Sequence, residues 1–224
     1  MSMDGSIRGK VIDISVCISK DTPVYPGDPK PEIEKIASIQ KDGFAVSRIT
    51  FGSHTGTHID APSHVIENGR TIDQLPLDKL IGSALVLDFS EKGEAIGGND
   101  LDVAYKRFGN TVSSTILLVK TRDSCEGRYT SFSGPSIDRT VYLDESAVEW
   151  IIKNGFEVVG IDVLSVDAQS QTVVHRLLLG KGVIIVEYLD LHVVEEGIYF
   201  FACLPLKTVG CDGSPARSIL IMDS

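Results

Sequence analysis

The sequence predicts a single α/β domain with many strands and a few helices. Its 224 residues are within the usual size of one domain, and they show no internal repeat, low-complexity tract or long linker, so we expect one domain over residues 1–224. Apolar runs of strand length alternate with short helical segments along the chain. This alternation favours an α/β architecture. The pattern does not predict the order of the strands.

The strands are predicted from short apolar runs rich in β-branched and aromatic residues. The run VIDISVCIS at Val11–Ser19 ends where the proline-rich turn Asp21–Pro29 begins. In chain order, the other predicted strands are Ser47–Phe51, Ala84–Phe89, Thr115–Lys120, Glu157–Asp162, Val183–Leu189, Tyr199–Leu204 and Ser218–Met222.

The helices are predicted from apolar spacing and from capping residues. They are a helix capped by Asn99 or Asp100 that reaches Gly109, a helix at Glu145–Asn154, and a short helix at Val173–Leu179. Asp144 is the expected N-cap of the second helix, and Gly155 is well placed to end it. Trp150, the only tryptophan, falls on the apolar side of that helix and is expected in the core.

Composition and charge exclude several classes of protein. The 21 Lys and Arg residues against 31 Asp and Glu give a formal charge of -10, which would repel nucleic acid. Residues Met1–Lys10 contain no apolar run typical of a secretory signal, and no stretch approaches the ~20 apolar residues of a membrane span. The four cysteines are too sparse for a disulfide framework. We therefore expect a cytoplasmic protein without nucleic-acid or membrane partners.

Three of the five histidines fall within the eleven-residue segment HTGTHIDAPSH. His54, His58, Asp60 and His64 all have even numbers, so in an extended chain their side chains project from one face. A cluster of imidazoles with a carboxylate suits a divalent cation. The alternative is a polar loop whose histidines only stabilise a turn.

The spacing requires the chain to bend if these residues share one ion. His54 and His58 would be ~13 Å apart along a regular strand, whereas zinc ligands lie ~2.1 Å from the metal. Gly56 gives the freedom to bend, and Pro62 fixes the chain direction before His64. A helical HExxH-type site is excluded because the segment contains poor helix formers.

A carboxylate in an apolar strand is a second indication of a metal site. Glu187 lies within VIIVEYL, where an unpaired carboxylate would be costly to bury. The alternative is an edge strand with Glu187 in water. His175, in the helical run TVVHRLLL, is either a packing residue or a further nitrogen ligand. His192 is expected on the surface.

These motifs resemble those of the Putative cyclase family, which includes bacterial kynurenine formamidases. The strongest match is the pattern His-x-Gly-Thr-His-x-Asp-x-Pro-x-His of residues 54–64. The spacing of His175 and Glu187 also resembles the family's. Further similar segments are Pro23–Asp28, Gly160–Asp162, Ser165–Asp167 and Gly210–Ala216.

The resemblance implies a fold related to the swivelling β/β/α type and a metal site built from six residues. His54 and His58 would bind a first metal and His175 a second, with Asp60 and Glu187 bridging them. His64 would be the proton donor and acceptor. The family's metal is usually zinc, which implies two Zn²⁺ ions here, and its members are commonly dimers or tetramers.

The implied activity is metal-dependent hydrolysis of an amide C–N bond. The leading substrate is N-formylkynurenine, an intermediate of tryptophan catabolism that would yield kynurenine and formate. Family formamidases have a tryptophan in the N-terminal loop, where this chain has Tyr25, whose ring can still stack on an aromatic substrate. Tyr129 and Phe132 are further candidates for the same pocket.

Three alternatives stay open at this stage. One is a ring-opening amidohydrolase of the isatin hydrolase type, whose members use a single manganese ion. Another is a lactone hydrolase using the same residues. The third is a metal-dependent binding protein without turnover, although such a protein would not need His64 as an acid–base group. A purely structural zinc site is less consistent with the sequence, because no cysteine lies near the histidine motif.

Overall fold

The computed structural model of the chain describes residues 9–109, 113–125, 141–168 and 170–222. The strands in this part are β1 Lys10–Asp13, β2 Glu32–Ala37, β3 Val46–Thr50, β4 His58–Asp60, β5 Ile81–Phe89, β6 Ala95–Ile96, β7 Ile116–Thr121, β8 Tyr142–Leu143, β9 Val158–Ile161, β10 Ile184–Glu187, β11 Gly197–Pro205 and β12 Gly213–Met222. The α-helices are α1 Ile39–Asp42, α2 Gly98–Lys106, α3 Arg122–Cys125, α4 Glu145–Lys153 and α5 Val173–Gly180. The predicted α/β class, with many strands and few helices, is confirmed.

Seven strands close into a barrel. Their order is β12-β11-β5-β7-β9-β10-β4, and β4 pairs back onto β12. Strands β5, β7, β9 and β10 run parallel, whereas β11, β12 and β4 join them by antiparallel pairing. β1 extends the sheet beside the C-terminal half of β12. β4, a strand of three residues, closes the barrel because it pairs with β10 on one side and with β12 on the other.

The parallel strands are apolar throughout because both of their faces are buried. On β7, Ile116 and Leu118 face the barrel interior, while Leu117 and Val119 pack under the helices. Buried parallel strands read as such continuous apolar runs. On β10, Ile185 belongs to the helix-facing layer, so Glu187, two residues later, lies on the same outer side of the barrel.

The prediction for α4 is confirmed in detail. The Asp144 carboxylate accepts a hydrogen bond from the Ala147 N–H at 3.0 Å, and Gly155 has φ +79°, which ends the helix. Trp150 is buried as predicted and stacks on Phe156. None of the helices in the described ranges is long and apolar enough to cross a membrane.

Other predicted boundaries were wrong. The first strand ends at Asp13, and Ser15 adds only an isolated bridge to Leu189. Helix α2 begins after Gly97 rather than at Asn99 or Asp100. The Asp100 side chain instead accepts a hydrogen bond from the Gly97 N–H at 2.9 Å from inside the first turn. β3 lies one residue before the predicted strand Ser47–Phe51, whereas β2, its pairing with β3 and the short strand β4 were not predicted.

Candidate metal centre

The histidine motif bends at Gly56, as its spacing required. Gly56 has φ +63°, and a Cβ there would lie 2.9 Å from Cγ1 of Ile18, so the position favours glycine in both conformation and space. After the bend the chain enters β4, where Ile59 points into the barrel core. His58 and Asp60 therefore share the opposite, outer side of the strand.

Glu187 faces this strand from β10. It is the antiparallel register partner of His58, and its Oε2 lies 3.5 Å from His58 Nε2. The Val166 N–H donates a hydrogen bond of 2.7 Å to the other carboxylate oxygen. β10 lies between β9 and β4, so the alternative of an edge strand with Glu187 in water is wrong.

His175 reaches the same place from α5. Its Nε2 lies 3.1 Å from Glu187 Oε1 and 3.3 Å from Asp60 Oδ2. Its Nδ1 lies 2.6 Å from Asp167 Oδ2, and Asp167 also accepts hydrogen bonds from the Val174 and His175 N–H groups. Asp167 therefore stabilises the first turn of α5 and also fixes the orientation of the His175 imidazole. Sequence reasoning named the segment around Asp167 but gave this residue no role.

His54 completes the cluster from the loop before β4. Its Nδ1 lies 2.8 Å from Asp60 Oδ1, and its Nε2 lies 3.1 Å from Asp212 Oδ2. Gly213 makes room for the ring, since a Cβ there would lie 2.8 Å from Cε1 of His54. The sequence analysis did not identify Asp212 and Gly213 as functional residues. The position of Asp212 between Gly210 and Gly213 was a signal that could have indicated them.

Two buried atoms show that the residues fit a divalent cation. The His58 Nδ1–H donates to the Gly56 carbonyl at 2.8 Å, so the ring directs Nε2 at the carboxylates, and this atom has a free lone pair when the imidazole is deprotonated. Within the described structure, His58 Nε2 and Asp60 Oδ2 are buried without a hydrogen-bond partner. A buried acceptor left unpaired is costly, and a bound cation would satisfy both.

The side chains form three groups of potential ligands, and in each group the ligand atoms lie within 4.8 Å of one another. Two groups share Asp60, namely His54, His58 and Asp60, and Asp60, His175 and Glu187; the third is His54, His64 and Asp212. The two groups that share Asp60 consist of residues that the sequence singled out as ligands. The structure thus brings together all five predicted ligands.

The electrostatics of the cluster are dominated by its carboxylates. Burial alone would lower the pKa of His58, but Asp60 and Glu187 raise it to about 10. The pKa of His175 is raised in the same way, chiefly by Glu187 and against the effect of burial. Burial opposes ionisation of Asp60, yet the three neighbouring histidines hold its pKa well below the ordinary value. The cluster therefore favours positive charge next to its carboxylates, which either protons or metal ions can supply.

His64 lies beside the cluster and belongs to neither of the two groups that share Asp60; with His54 and Asp212 it forms the third group. It ends the short 3-10 helix Pro62–His64, and its ring centroid is 4.1 Å from that of His54. Its Nδ1 is 3.7 Å from Asp212 Oδ2. Burial lowers the pKa of His64, so its imidazole is predominantly neutral near neutral pH.

A cavity of about 410 Å³ opens onto the cluster. Tyr25 contributes to its wall, and the Tyr25 hydroxyl accepts a hydrogen bond from the Ser170 N–H at 3.0 Å. The cavity is lined by Tyr25, Asp28, His54, His58, His64, Leu164, Ser165, Ser170, Gln171, Thr172, His175 and Glu187. Tyr129 and Phe132, the other aromatic candidates, lie outside the described residues. His192 is on the surface, as expected, and pairs with Asp190.

Comparison with known proteins gives a consistent result. Residues 12–168 match the family described as Putative cyclase. The chain is 33% identical to the kynurenine formamidase of Salinibacter ruber over 94% of this chain and 96% of that one, and 34% identical to the kynurenine formamidase of Geobacillus thermodenitrificans over 93% and 96%.

Solved structures show the same fold. One, described as a predicted metal-dependent hydrolase from Bacillus stearothermophilus, has a TM-score of 0.76 at 34% identity, covering 94% of this chain and 97% of the other. An isatin hydrolase bound to thioisatinate has a TM-score of 0.82 at 21% identity, covering 96% and 93%. At that identity the likeness is one of fold alone.

The fold and the site define a metal-dependent hydrolase of the amidohydrolase class. The chain belongs to the Putative cyclase family.

Proposed function

We propose that this protein is an arylformamidase that hydrolyses N-formylkynurenine to kynurenine and formate in tryptophan catabolism. The observation that supports this most directly is the pair of ligand groups sharing Asp60, with His64 next to them and outside both. A hydrolase of this kind needs cations and a separate acid–base group in one cavity. Relatives at 31–34% identity over nearly the whole chain are kynurenine formamidases.

Two zinc ions are the proposed cofactor. His54, His58 and Asp60 would hold one, and Asp60, His175 and Glu187 the other, because each group supplies nitrogen and oxygen donors of the type zinc binds. When bound, such ions activate water and polarise the carbonyl under attack. Manganese is the alternative metal, and a single ion is the alternative stoichiometry.

The chain's own part in the reaction is proton transfer and orientation. His64, kept neutral by partial burial, can take the proton released as water adds to the formyl carbon. It can then return that proton to the amide nitrogen, so that the C–N bond breaks to give an amine and formate. The Asp212 carboxylate contacts both His54 and His64 and would hold the two imidazole rings in a fixed relative orientation.

The cavity fits an aryl amide. Tyr25 offers an aromatic face at the wall, and Leu164 adds apolar surface. Aromatic rings attract one another when stacked or edge to face. Ser165, Gln171 and Thr172 add polar groups that could orient the amino-acid part of the substrate.

Ring opening of a cyclic aryl amide such as isatin is the second candidate. By the family resemblance, formamidases carry a tryptophan where this chain has Tyr25, a difference that weakens the assignment to N-formylkynurenine and leaves another aryl amide open. The same residues would serve, since the bond broken is again an amide C–N bond. Lactone hydrolysis uses the same water activation and is a third substrate class to examine.

The decisive experiment is hydrolysis of N-formylkynurenine by purified protein of measured zinc content, with a chelated sample alongside. We expect kcat/KM above roughly 10⁴ M⁻¹s⁻¹, lost on chelation and restored by Zn²⁺. A protein that holds zinc but leaves this substrate intact would contradict the formamidase proposal, and isatin and aryl lactones would then be assayed. Location in the cytoplasm stays a prediction.

A further inference from the structure

His54, His64 and Asp212 are placed as ligands of one further cation, beside the two groups that share Asp60. His54 Nε2 lies 3.1 Å from Asp212 Oδ2, and His64 Nδ1 lies 3.7 Å from the same oxygen. Two donors bound to one tetrahedral zinc ion are roughly 3.4 Å apart, because each lies ~2.1 Å from the metal. The two separations fall on either side of this value, so the geometry of this third group suits zinc.

The contact between His64 and Asp212 is too long for a direct hydrogen bond. Hydrogen bonds between nitrogen and oxygen span about 2.7–3.2 Å in proteins. A cation ~2.1 Å from each atom can join donors up to about 4.2 Å apart, which includes the 3.7 Å between His64 Nδ1 and Asp212 Oδ2. A shared cation therefore suits this separation, whereas a direct hydrogen bond does not.

The backbone holds Asp212 against the histidine motif. The Ala61 N–H donates to the Asp212 carbonyl at 2.9 Å, and the next residue, Gly213, is the register partner of Asp60. A Cβ at Gly213 would lie 2.8 Å from Cε1 of His54, so the imidazole packs closely on this backbone. Ligands carried on a backbone that is already fixed lose little conformational freedom when a cation binds.

The third group is more exposed than the other two. The side chains of His54, His64 and Asp212 are 15, 29 and 47% exposed, whereas those of Asp60 and Glu187 are 0 and 4% exposed. His54 and His64 also line the cavity that opens onto the cluster. An ion held by three exposed ligands keeps water in its open position and exchanges with the solvent.

The ring of His54 belongs to two ligand groups through its two nitrogens. Nδ1 faces Asp60 at 2.8 Å, and Nε2 faces Asp212. Metal binding at both nitrogens displaces the remaining ring proton to solvent and brings two cations close together, and both effects lower the affinity of the third group. The chain's charge of -10 acts in the opposite direction, because it raises the local concentration of cations. We therefore expect a weak site that fills only after the groups sharing Asp60.

We propose that His54, His64 and Asp212 form an inhibitory site that takes an additional Zn²⁺ ion when free zinc is in excess. A neutral imidazole carries one N–H and one lone pair. An ion on His64 Nδ1 takes that lone pair and leaves the proton on Nε2, so the ring cannot accept a proton from the attacking water. This loss of activity rests on the acid–base role of His64 in the proposed function, whereas the binding of the ion does not.

The donor set distinguishes between divalent cations. Two imidazole nitrogens and one carboxylate suit Zn²⁺. Mg²⁺ prefers oxygen ligands and retains most of its water. Mg²⁺ at equal concentration is therefore the matched control ion, since it has the same charge and should not fill the third group.

The first test counts zinc ions by equilibrium dialysis of the zinc-loaded protein. We expect one equivalent beyond those retained in zinc-free buffer, bound as free Zn²⁺ rises from micromolar to millimolar concentration. His64→Ala and Asp212→Asn should each lose this extra equivalent. Asp190→Asn, which changes a carboxylate paired with the exposed His192 and outside all ligand groups, should keep it.

The second test follows the His64 ring by its reaction with diethyl pyrocarbonate, which acylates free imidazole nitrogens. Excess Zn²⁺ should slow the modification of His64 and leave that of the exposed His192 unchanged, as peptide mass mapping would show. Dialysis and modification need no substrate, so they decide whether the site exists even if N-formylkynurenine is not hydrolysed. That result would contradict the proposed function alone.

The third test is turnover of the zinc-loaded protein at rising free Zn²⁺. We expect kcat/KM to fall with the midpoint of the extra equivalent towards the level of His64→Ala, roughly 10²- to 10⁴-fold below the wild type. Mg²⁺ should cause no such loss. Absence of the extra equivalent, its retention in either variant, unprotected His64, or full turnover with the third group filled would each overturn the proposal.

Discussion

Glu187 and His58 face each other across two strands that are far apart in the sequence. They are register partners in the β10–β4 pair, and Glu187 Oε2 lies 3.5 Å from His58 Nε2. Because β4 has only three residues and closes the barrel, the strand pairing that completes the fold also assembles the metal centre. Shifting the register by one residue would turn Glu187 to the other face.

Removing His64 should separate metal binding from turnover. In His64→Ala both ligand groups that share Asp60 remain, so zinc content should equal that of the wild type while kcat/KM falls roughly 10²- to 10⁴-fold, the usual contribution of an acid–base group. Metal analysis and initial rates on the same preparation check this. Unchanged activity in the variant would show that His64 is not the proton donor and acceptor.

Asp60→Asn should lose metal and activity together. Asp60 belongs to both ligand groups, so its amide replacement removes a charged ligand from each. Zinc content and kcat/KM should fall in parallel. Asp190→Asn is the matched control, because Asp190 pairs with the exposed His192 at 2.6 Å and belongs to none of the ligand groups. Full zinc occupancy in Asp60→Asn would contradict the shared-ligand assignment.

Asp212→Asn should weaken the site without destroying it. Asp212 contacts His54 Nε2 and approaches His64, and loss of such an outer carboxylate commonly costs 10- to 100-fold in metal affinity or activity. Competition with a chromophoric chelator measures the zinc affinity, and steady-state kinetics measures kcat/KM. Wild-type values for both quantities would rule out a positioning role for Asp212.

Substitutions at Tyr25 should change substrate binding more than the chemical step. Tyr25→Ala removes the aromatic wall, and a lost ring contact of about 0.5–1.5 kcal/mol predicts a KM roughly 3- to 10-fold higher at similar kcat. Tyr25→Phe keeps the ring and loses only the acceptor for the Ser170 N–H, so its KM should stay near the wild-type value. If Tyr25→Ala leaves KM unchanged, the ring does not contact the substrate.

The metal-free protein should lose stability as the pH rises above neutrality. The pKa of His58 is about 10 when folded and 6.5 ordinarily, so the folded state binds the proton more tightly. That stabilisation is complete below about pH 6.5 and is lost between there and pH 10, at up to about 1.4 kcal/mol per pH unit.

Thermal unfolding of the chelated protein from pH 6 to pH 10 measures this effect. His192→Ala, which removes an exposed histidine, should follow the wild-type curve. His58→Asn should make the decline less steep without abolishing it, because the pKa of His175 is raised in the same way. A melting temperature of the chelated wild type that is constant or rises over this range would contradict the predicted sign.

The sequence by itself determined the ligand types, the bend and the fold class. His54, His58, Asp60 and His64 are close in the chain, so their spacing and the glycine between them already constrain the local geometry. The apolar runs of the parallel strands indicated burial on both faces. The helix N-cap at Asp144 could be predicted from the sequence because capping is a local interaction.

Only the tertiary structure decided how these parts meet. Glu187 and His175 reach the motif through the β10–β4 register and the packing of α5, which are long-range pairings that local pattern does not specify. Asp212 and Asp167 gain their roles from contacts with histidines on other elements, or on the far side of a turn. The β2–β3 hairpin was predicted only in part: a strand was expected at Ser47–Phe51, close to β3, whereas β2 and its pairing with β3 were not, and the exposure of the hairpin is a property of the folded chain alone.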